Sequence, residues 1–335
     1  MYNELRWNPL LGCWIIVSSK RKSRPWRKTA CPFCPGTEET GYGWDILVLP
    51  NKFPALTIDA KTSSSGDNLY KLLPGYGYCK VIIETPEHSG DLDSIGFSNV
   101  CKYIKTLIEE TKKLCSDDKI EYVFIFRNKG KEIGVSLEHP HSQLYAMPFV
   151  PPRVSVEIRN SREFFVKNKK CLFCTIIEKE KHRKVGLLYE NDGFISFLPF
   201  FAMWPFEVHV YSKRHIQRFT DLNEKEVRFL ADMLMVLVSM YNSLFDFSLP
   251  YMLVFHQAPC KGSYNFYHFH AEFYPVHRSG DKLKYRAGVE TGAWVFTYDY
   301  LPEDNALLLR NALQKGFNRI SSLGYRPMGK ICGEV

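Results

Sequence analysis

The chain has 335 residues, enough for one large domain or two of ordinary size, and 45% of them are apolar, as in a globular protein with its own core. Lys and Arg outnumber Asp and Glu by 44 to 36, a formal net charge of +8, but the basic residues are scattered and form no block. That balance favours small anionic ligands such as phosphates and speaks against a nucleic-acid-binding tract.

Strand-like runs come first: Cys13–Val17, Asp45–Leu49, Cys79–Glu84, Tyr122–Arg127 and His141–Met147. One helical pattern lies among them, Phe97–Cys115, where Val100, Ile104, Leu107 and Ile108 recur at three- and four-residue spacing. The join falls near Pro151-Pro152 to Lys170, where the stretch from Asn160 to Lys170 is polar and charged, and the plan then repeats. Strand-like runs at Gly193–Leu198, Glu207–Tyr211, Tyr251–Phe255, Phe269–Phe273 and Trp294–Tyr298 flank a helical run at Glu224–Phe245, and a last helix covers Asp304–Lys315. The order predicts an α+β fold of two halves, 1–160 and 161–335, each a mostly antiparallel sheet with helices packed on it. Phe229–Phe245, the most apolar run, is broken by Asp232, Ser239 and Asn242 and reads as a buried helix, not a membrane span. Met1–Leu10 has no apolar signal segment, so a reducing cytoplasm is expected, with the ten cysteines free or on metal.

A second repeat lies inside the first. Cys31-Pro32-Phe33-Cys34 is followed by His88 and then His139-Pro140-His141-Ser142-Gln143. Cys171-Leu172-Phe173-Cys174 is followed by His215 and then His268-Phe269-His270-Ala271-Glu272. Two thiolates three positions apart chelate one ion without strain, and tetrahedral zinc takes two further ligands from elsewhere in the fold. The spacing therefore predicts two zinc sites, on Cys31, Cys34, His88 and His139 and on Cys171, Cys174, His215 and His268. DNA-reading fingers leave only about 12 residues between ligand pairs. Here the gaps of 54 and 41 residues to the lone histidine tie distant parts of a domain together.

On an extended strand His139, His141 and Gln143 share one face. His139 then serves the metal, while His141 reaches a cleft, either as a nucleophile toward phosphorus or as a third ligand or packed ring. The Gln143 amide is placed to donate to a phosphoryl oxygen as charge builds.

Phe126-Arg127-Asn128-Lys129-Gly130, Gly134-Val135-Ser136 and the His139–Gln143 segment resemble the galactose-1-phosphate uridylyltransferase family of the histidine-triad superfamily. So do Asn8-Pro9-Leu10, Ser23-Arg24-Pro25-Trp26, Pro50-Asn51-Lys52-Phe53-Pro54-Ala55 and Pro205-Phe206-Glu207, so that the matches run from about residue 7 to 300. The resemblance implies a duplicated histidine-triad-like fold. It also implies transfer of UMP from UDP-glucose to galactose 1-phosphate through a covalent uridylyl-histidine.

Carried over, it makes His141 the nucleophile, with its other ring nitrogen held by a backbone carbonyl. Gln143 falls at the transferring phosphoryl group, and Ser136 and Asn128 at phosphate oxygens, with Arg21 and Arg24 near them. Asn51 falls beside the uridine. The family often has Asp at position 52, where this chain has Lys52, a departure at the ribose contact. Lys284 and Glu290 fall where the family holds the hexose, and basic residues from a second subunit imply a homodimer. Some members bind a structural metal, zinc or iron, through a Glu and three histidines. The aligned residues here are Glu157, His256, His270 and Glu272, the alternative to the second Cys/His set. His270 mirrors His141, but with Glu272 in place of Gln143 a carboxylate would repel a phosphoryl anion, so the second H-x-H is expected to be non-catalytic. Two rivals stand beside this reading. One is a phosphorolytic relative acting on ADP-glucose or a dinucleoside polyphosphate, which it resembles in both Cys-x-x-Cys pairs. The other is a zinc-stabilised nucleotide- or nucleic-acid-binding protein without catalysis. No G-x-x-x-x-G-K-[ST] occurs, which speaks against an ATP-driven kinase of the P-loop type.

Overall fold

Strand pairing in the first half follows the alternation of apolar residues. In a computed structural model, residues 2–23 and 30–333 are described. β1 (Asn3–Asn8), β2 (Cys13–Ser18) and β4 (Leu72–Pro74) form a small sheet, with β1 in the middle. β3 (Leu47–Pro50), β5 (Tyr78–Ile83), β6 (Tyr122–Lys129) and β7 (His141–Met147) enter the main sheet in the order β6-β7-β5-β3. Between β5 and β6 runs α1 (Phe97–Cys115), which buries Val100, Ile104, Leu107 and Ile108 as one stripe.

The second half opens with α2 (Pro152–Asn168) and α3 (Leu172–Arg183), followed by β8 (Leu187–Glu190), β9 (Phe194–Phe197) and β10 (Val208–Ser212). α4 (Glu224–Tyr241) then precedes β11 (Tyr251–His256) and β12 (His270–Pro275). Asn223 starts α4 with a reciprocal cap: its Oδ1 accepts from the Glu226 amide at 3.0 Å, and Glu226 Oε2 accepts from the Asn223 amide at 2.9 Å. α5 (Gly288–Ala293), α6 (Pro302–Ser322) and β13 (Lys330–Ile331) complete the chain. α6 lies on α4 at Gly316, where an added Cβ would sit 2.8 Å from the Met240 nitrogen, so only glycine allows the approach.

The halves do not form separate sheets. β11 pairs antiparallel with β6, with Leu253 opposite Arg127, and the strands join in one ten-stranded sheet ordered β13-β8-β9-β10-β12-β11-β6-β7-β5-β3. Around this seam the order mirrors itself: β7 lies between β5 and β6 as β12 lies between β10 and β11. α1 and α4 pack against each other and against this sheet in one continuous core.

One expectation about elements fails. Trp294–Tyr298 is not a strand. Both edges of β12 are already taken, by β10 and β11, and Thr297 turns to other partners: its carbonyl oxygen accepts from Lys284 Nζ and its hydroxyl donates to Glu290 at 2.8 Å. The polar stretch at 160–170 is mostly helix, the second half of α2, of which only Val154 and Ser161 are buried.

Candidate active site and metal centres

β7 is flanked by β5 and β6, with Gln143 opposite Val81 on one side and Phe126 on the other. The pleat sends His141, Gln143 and Tyr145 to one face and Ser142 and Leu144 to the other. The His141 Nδ1–H donates to the carbonyl oxygen of His139 at 2.8 Å, so the neutral ring carries its lone pair on Nε2. His141 and Gln143 line a cleft enclosing about 730 Å³, part of it open to solvent, together with Ser136, Asn51, Lys52 and Phe33. Phe33 stands edge-on to His141, ring centroids 5.3 Å apart. It comes from the middle of the first Cys-x-x-Cys, so the two-cysteine loop supplies part of the cleft wall. Asn51 Oδ1 accepts from the Phe53 amide at 2.9 Å, and Lys52 pairs with Glu39 at 3.0 Å.

Beside the cleft the first Cys/His set comes together. Cys34 Sγ lies 3.3 Å from His88 Nδ1 and 3.8 Å from His139 Nδ1, and Cys31 Sγ lies 3.7 Å from His139 Nδ1. The Nε2–H of His139 donates to the Thr85 carbonyl at 2.8 Å, which turns the Nδ1 lone pair toward the sulfurs. Burial lowers the pKa of His139 and favours the neutral ring that a metal requires. Around tetrahedral zinc, bonds of about 2.3 Å to sulfur and 2.1 Å to nitrogen put neighbouring S and N ligands roughly 3.6 Å apart. The donor set fits that ion.

The second set repeats this geometry. Cys174 Sγ lies 3.5 Å from His215 Nδ1 and 3.6 Å from His268 Nδ1, and all four ligand atoms lie within 4.8 Å of one another. His268 Nε2–H points at the Ser212 carbonyl, 2.8 Å away, as His139 does at Thr85. A hydrogen bond with Cys174, joined by others from His215 and His268, pulls Cys171 well below the ordinary thiol range.

Glu157, His256, His270 and Glu272 also come together, so the two ligand sets posed as alternatives are both assembled, side by side. The Glu/His group is satisfied by its own donors. Glu157 Oε2 accepts from His256 at 2.8 Å and from the Tyr267 hydroxyl at 2.7 Å, and Glu272 Oε2 accepts from Arg153 at 2.7 Å and from Tyr274. The fixed positive charge of Arg153 sits where a cation would be repelled. Its four ligand atoms still lie within 4.8 Å of one another, as in the Cys/His sets, so a cation there would compete with Arg153.

The remaining candidates are spread more widely. Arg21 donates to the Tyr145 hydroxyl at 3.2 Å, on the His141 face of β7, while Arg24 lies outside the described residues. Asn128 follows Phe126 on the same face of β6 but does not line the cleft. Lys284 and Glu290 are buried beyond the end of β12 and pair with each other at 3.4 Å, and neither lines the cleft. The Thr297 hydroxyl holds the Glu290 carboxyl down at about 2. One cysteine expectation is corrected: Cys115 and Cys260 form a disulfide across 145 residues of sequence, because the end of α1 and the loop after β11 meet there.

Residues 1–151 match the model of the galactose-1-phosphate uridyl transferase N-terminal domain, and residues 157–315 match that of its C-terminal domain. Galactose-1-phosphate uridylyltransferase of Thermotoga maritima is 38% identical over 92% of this chain and 98% of its own length. A solved structure described as uridylyltransferase superposes with a TM-score of 0.87 at 42% identity, covering 93% of this chain and 99% of that one. ADP-glucose phosphorylase of Arabidopsis thaliana is 29% identical over 92% of both chains. The chain belongs to the galactose-1-phosphate uridylyltransferase family.

Proposed function

We propose that the chain transfers UMP from UDP-glucose to galactose 1-phosphate, in galactose metabolism, through a covalent intermediate on His141. The observation that carries this is the ring of His141: Nδ1 is tied to the carbonyl of His139, and Nε2 holds the lone pair beside a cleft shared with Gln143, Ser136 and Asn51. Nε2 attacks the α-phosphorus, the P–N bond forms, and the P–O bond to glucose 1-phosphate breaks with its electron pair leaving on the sugar phosphate. In the second half-reaction a phosphate oxygen of galactose 1-phosphate attacks the same phosphorus, and His141 leaves unchanged. The carbonyl of His139 steadies the positive charge on the ring between the two steps. The leaving group is already a stable anion, so positioning and electrostatics supply most of the effect. In this reading Gln143 donates to the phosphoryl group and Ser136, Asn128, Arg21 and Arg24 contact phosphate oxygens, while Asn51 meets the uridine.

Lys284 and Glu290, remote from the cleft in this chain, serve the hexose of a partner's site in a homodimer. Zinc at each Cys/His set would hold distant segments together and, at the first, hold Phe33 against the cleft. Thiolate ligands need a reducing compartment, and we place the chain in the cytoplasm; the Cys115–Cys260 bridge is the one feature opposing that placement. Among the described residues no helix is long and apolar enough to cross a membrane.

The relative that acts on ADP-glucose supports a second reading, transfer of the nucleotide to inorganic phosphate. Mass spectrometry of the protein mixed with one donor at a time, quenched at alkaline pH, separates the two. A UMP-sized gain on the His141 peptide, discharged by galactose 1-phosphate, supports the first. An adduct that forms only from ADP-glucose, or that only phosphate discharges, moves the assignment to the second.

A further inference from the structure

Three contacts converge on the His139–Ser142 segment from Glu84 and Thr85. The Glu84 amide donates to the Pro140 carbonyl at 3.0 Å, Ser142 Oγ donates to Glu84 Oε1 at 2.5 Å, and the Thr85 carbonyl receives His139 Nε2–H at 2.8 Å. The Glu84 side chain is wholly buried and is held in turn by Arg127, whose Nε lies 2.9 Å from both carboxylate oxygens. Arg127 passes the support to the other half of the molecule, where its Nη1 donates to the Tyr251 hydroxyl of β11 at 2.6 Å. The Ser142, Glu84 and Arg127 side chains meet on the face of β7 opposite the cleft.

The duplicated half shows what this arrangement is not needed for. Ile83 stands opposite His141 as Tyr211 stands opposite His270, so Ser212 and Ala271 occupy the places of Glu84 and Ser142. That half still builds the same strand pair, the same Nδ1-to-carbonyl bond on its second histidine (His270 to His268, 2.9 Å) and the same Cys/His set. A buried ion pair is also a poor source of stability. The carboxylate is present only behind the histidine whose ring faces the cleft.

We propose that Glu84, acting through the Ser142 hydroxyl, is a positioning residue that fixes the strand segment carrying His141 and Gln143 against the recoil of nucleotidyl transfer. The proposal rests on the reading of His141 as the nucleophile. Glu84 touches no substrate; it sets the aim of a ring that does.

The test is Ser142→Ala in the full chain with its metal content verified. The rate of uridylyl transfer from UDP-glucose is expected to fall roughly 10- to 100-fold with KM within about two-fold, the scale of a sub-ångström to 1 Å misplacement. Ser142→Thr keeps the hydroxyl and is expected to recover most of the rate. A substrate-free readout accompanies the kinetics. With ¹⁵N-labelled histidine, the His141 ring signals are expected to keep the Nδ1–H tautomer, as His270 does beside Ala271, but to broaden in Ser142→Ala as the segment loosens, and to sharpen again in Ser142→Thr. Asp232→Asn disturbs a remote buried carboxylate that accepts from Tyr189 and Asn191, and controls for lost stability alone: a lower Tm with kcat and the His141 signals unchanged. A Ser142→Ala protein with full rate and His141 signals as sharp as in the wild type overturns the proposal. If the wild type transfers no nucleotide, the functional reading fails separately. The His141 spectrum still decides the positioning role: ring signals that stay sharp in Ser142→Ala overturn it, and broadened ones support it.

Discussion

Arg127→Met tests the electrostatics of the seam between the halves. The guanidinium spans Glu84 at 2.9 Å and Asp91 at 3.0 Å, and all three side chains are no more than 5% exposed. Methionine fills similar volume but leaves Glu84 with the Ser142 hydroxyl, and Asp91 with Lys129, the Tyr251 hydroxyl and the Leu92 amide. Removing one partner of a buried pair costs about 3–5 kcal/mol, because the carboxylate left behind is not solvated. An unfolding entropy of about 2.1 cal/mol/K per residue over 335 residues is about 0.7 kcal/mol/K, so the Tm should fall by about 4–7 °C. The sign of the pH dependence follows from Glu84. Burial already pushes its carboxyl above the ordinary value, against the pull of Arg127, and without Arg127 it rises further. A group with a raised folded pKa contributes stability below its unfolded pKa and loses it as pH rises through the folded pKa. The deficit of Arg127→Met is therefore expected to be larger near pH 8 than near pH 5.5, and Arg127→Met/Glu84→Gln should recover part of it. Thermal unfolding by circular dichroism at the two pH values is the assay. An unchanged Tm near pH 8, or a gap that widens on acidification, would refute the reasoning.

His141→Asn should lower nucleotidyl transfer by at least about 10³-fold with little change in Tm, whereas comparable residual activity would remove the nucleophile assignment. Elemental analysis should find two zinc ions per chain, falling to one in Cys171→Ser/Cys174→Ser; a third ion surviving in that variant would contradict the hydrogen-bonded reading of the Glu157 and Glu272 group. Acid should unfold the protein early. Burial pushes the Glu157 carboxyl up, but His256 pulls it to about 2, and the Thr297 hydroxyl brings Glu290 to about 2. A depressed folded pKa gives stability present above about 4.5 and lost as pH falls toward 2, so a Tm that stays level across that window would argue against these contacts.

What the sequence disclosed depended on whether a signal was local. α1 and β7 have the predicted bounds because each carries one clear period bordered by polar or turn residues. α2 escaped because charge occurs all round it and only two of its residues are buried, so no apolar stripe marks it. Trp294–Tyr298 was misread because β-prone composition does not reveal whether an unpaired sheet edge is within reach. The Cys115–Cys260 bridge joins residues 145 apart that share no spacing with a partner. The same is true of Glu84, whose role depends on which strand lies beside it. For the metal groups, the residue types were legible but their sorting was not. His268 and His270 are two apart and share one face of an extended strand, so which meets the sulfurs and which meets Glu272 depends on what packs along that face.

That sorting explains how one duplicated frame ends with one cleft. Both halves keep the Cys-x-x-Cys pair, a phenylalanine inside it and an H-x-H segment: the Phe33 ring lies 5.3 Å from that of His141, and the Phe173 ring 4.8 Å from that of His270. In the first half, among the described residues, the face beyond that histidine borders the cleft and ends in Gln143, a neutral donor. In the second, α2 brings Glu157 and Arg153 over the corresponding face, and Glu272, only 3% exposed, takes the place of Gln143. A phosphoryl group entering there would meet a carboxylate and would have to displace Arg153 from it. Reopening that face by Glu272→Gln alone would strip Arg153, Tyr274 and His209 of a charged acceptor, so the substitution should destabilise the fold without creating a second active site. The metal sets and the strand pairs are shared, and the difference in chemistry lies in what packs against the face after each H-x-H.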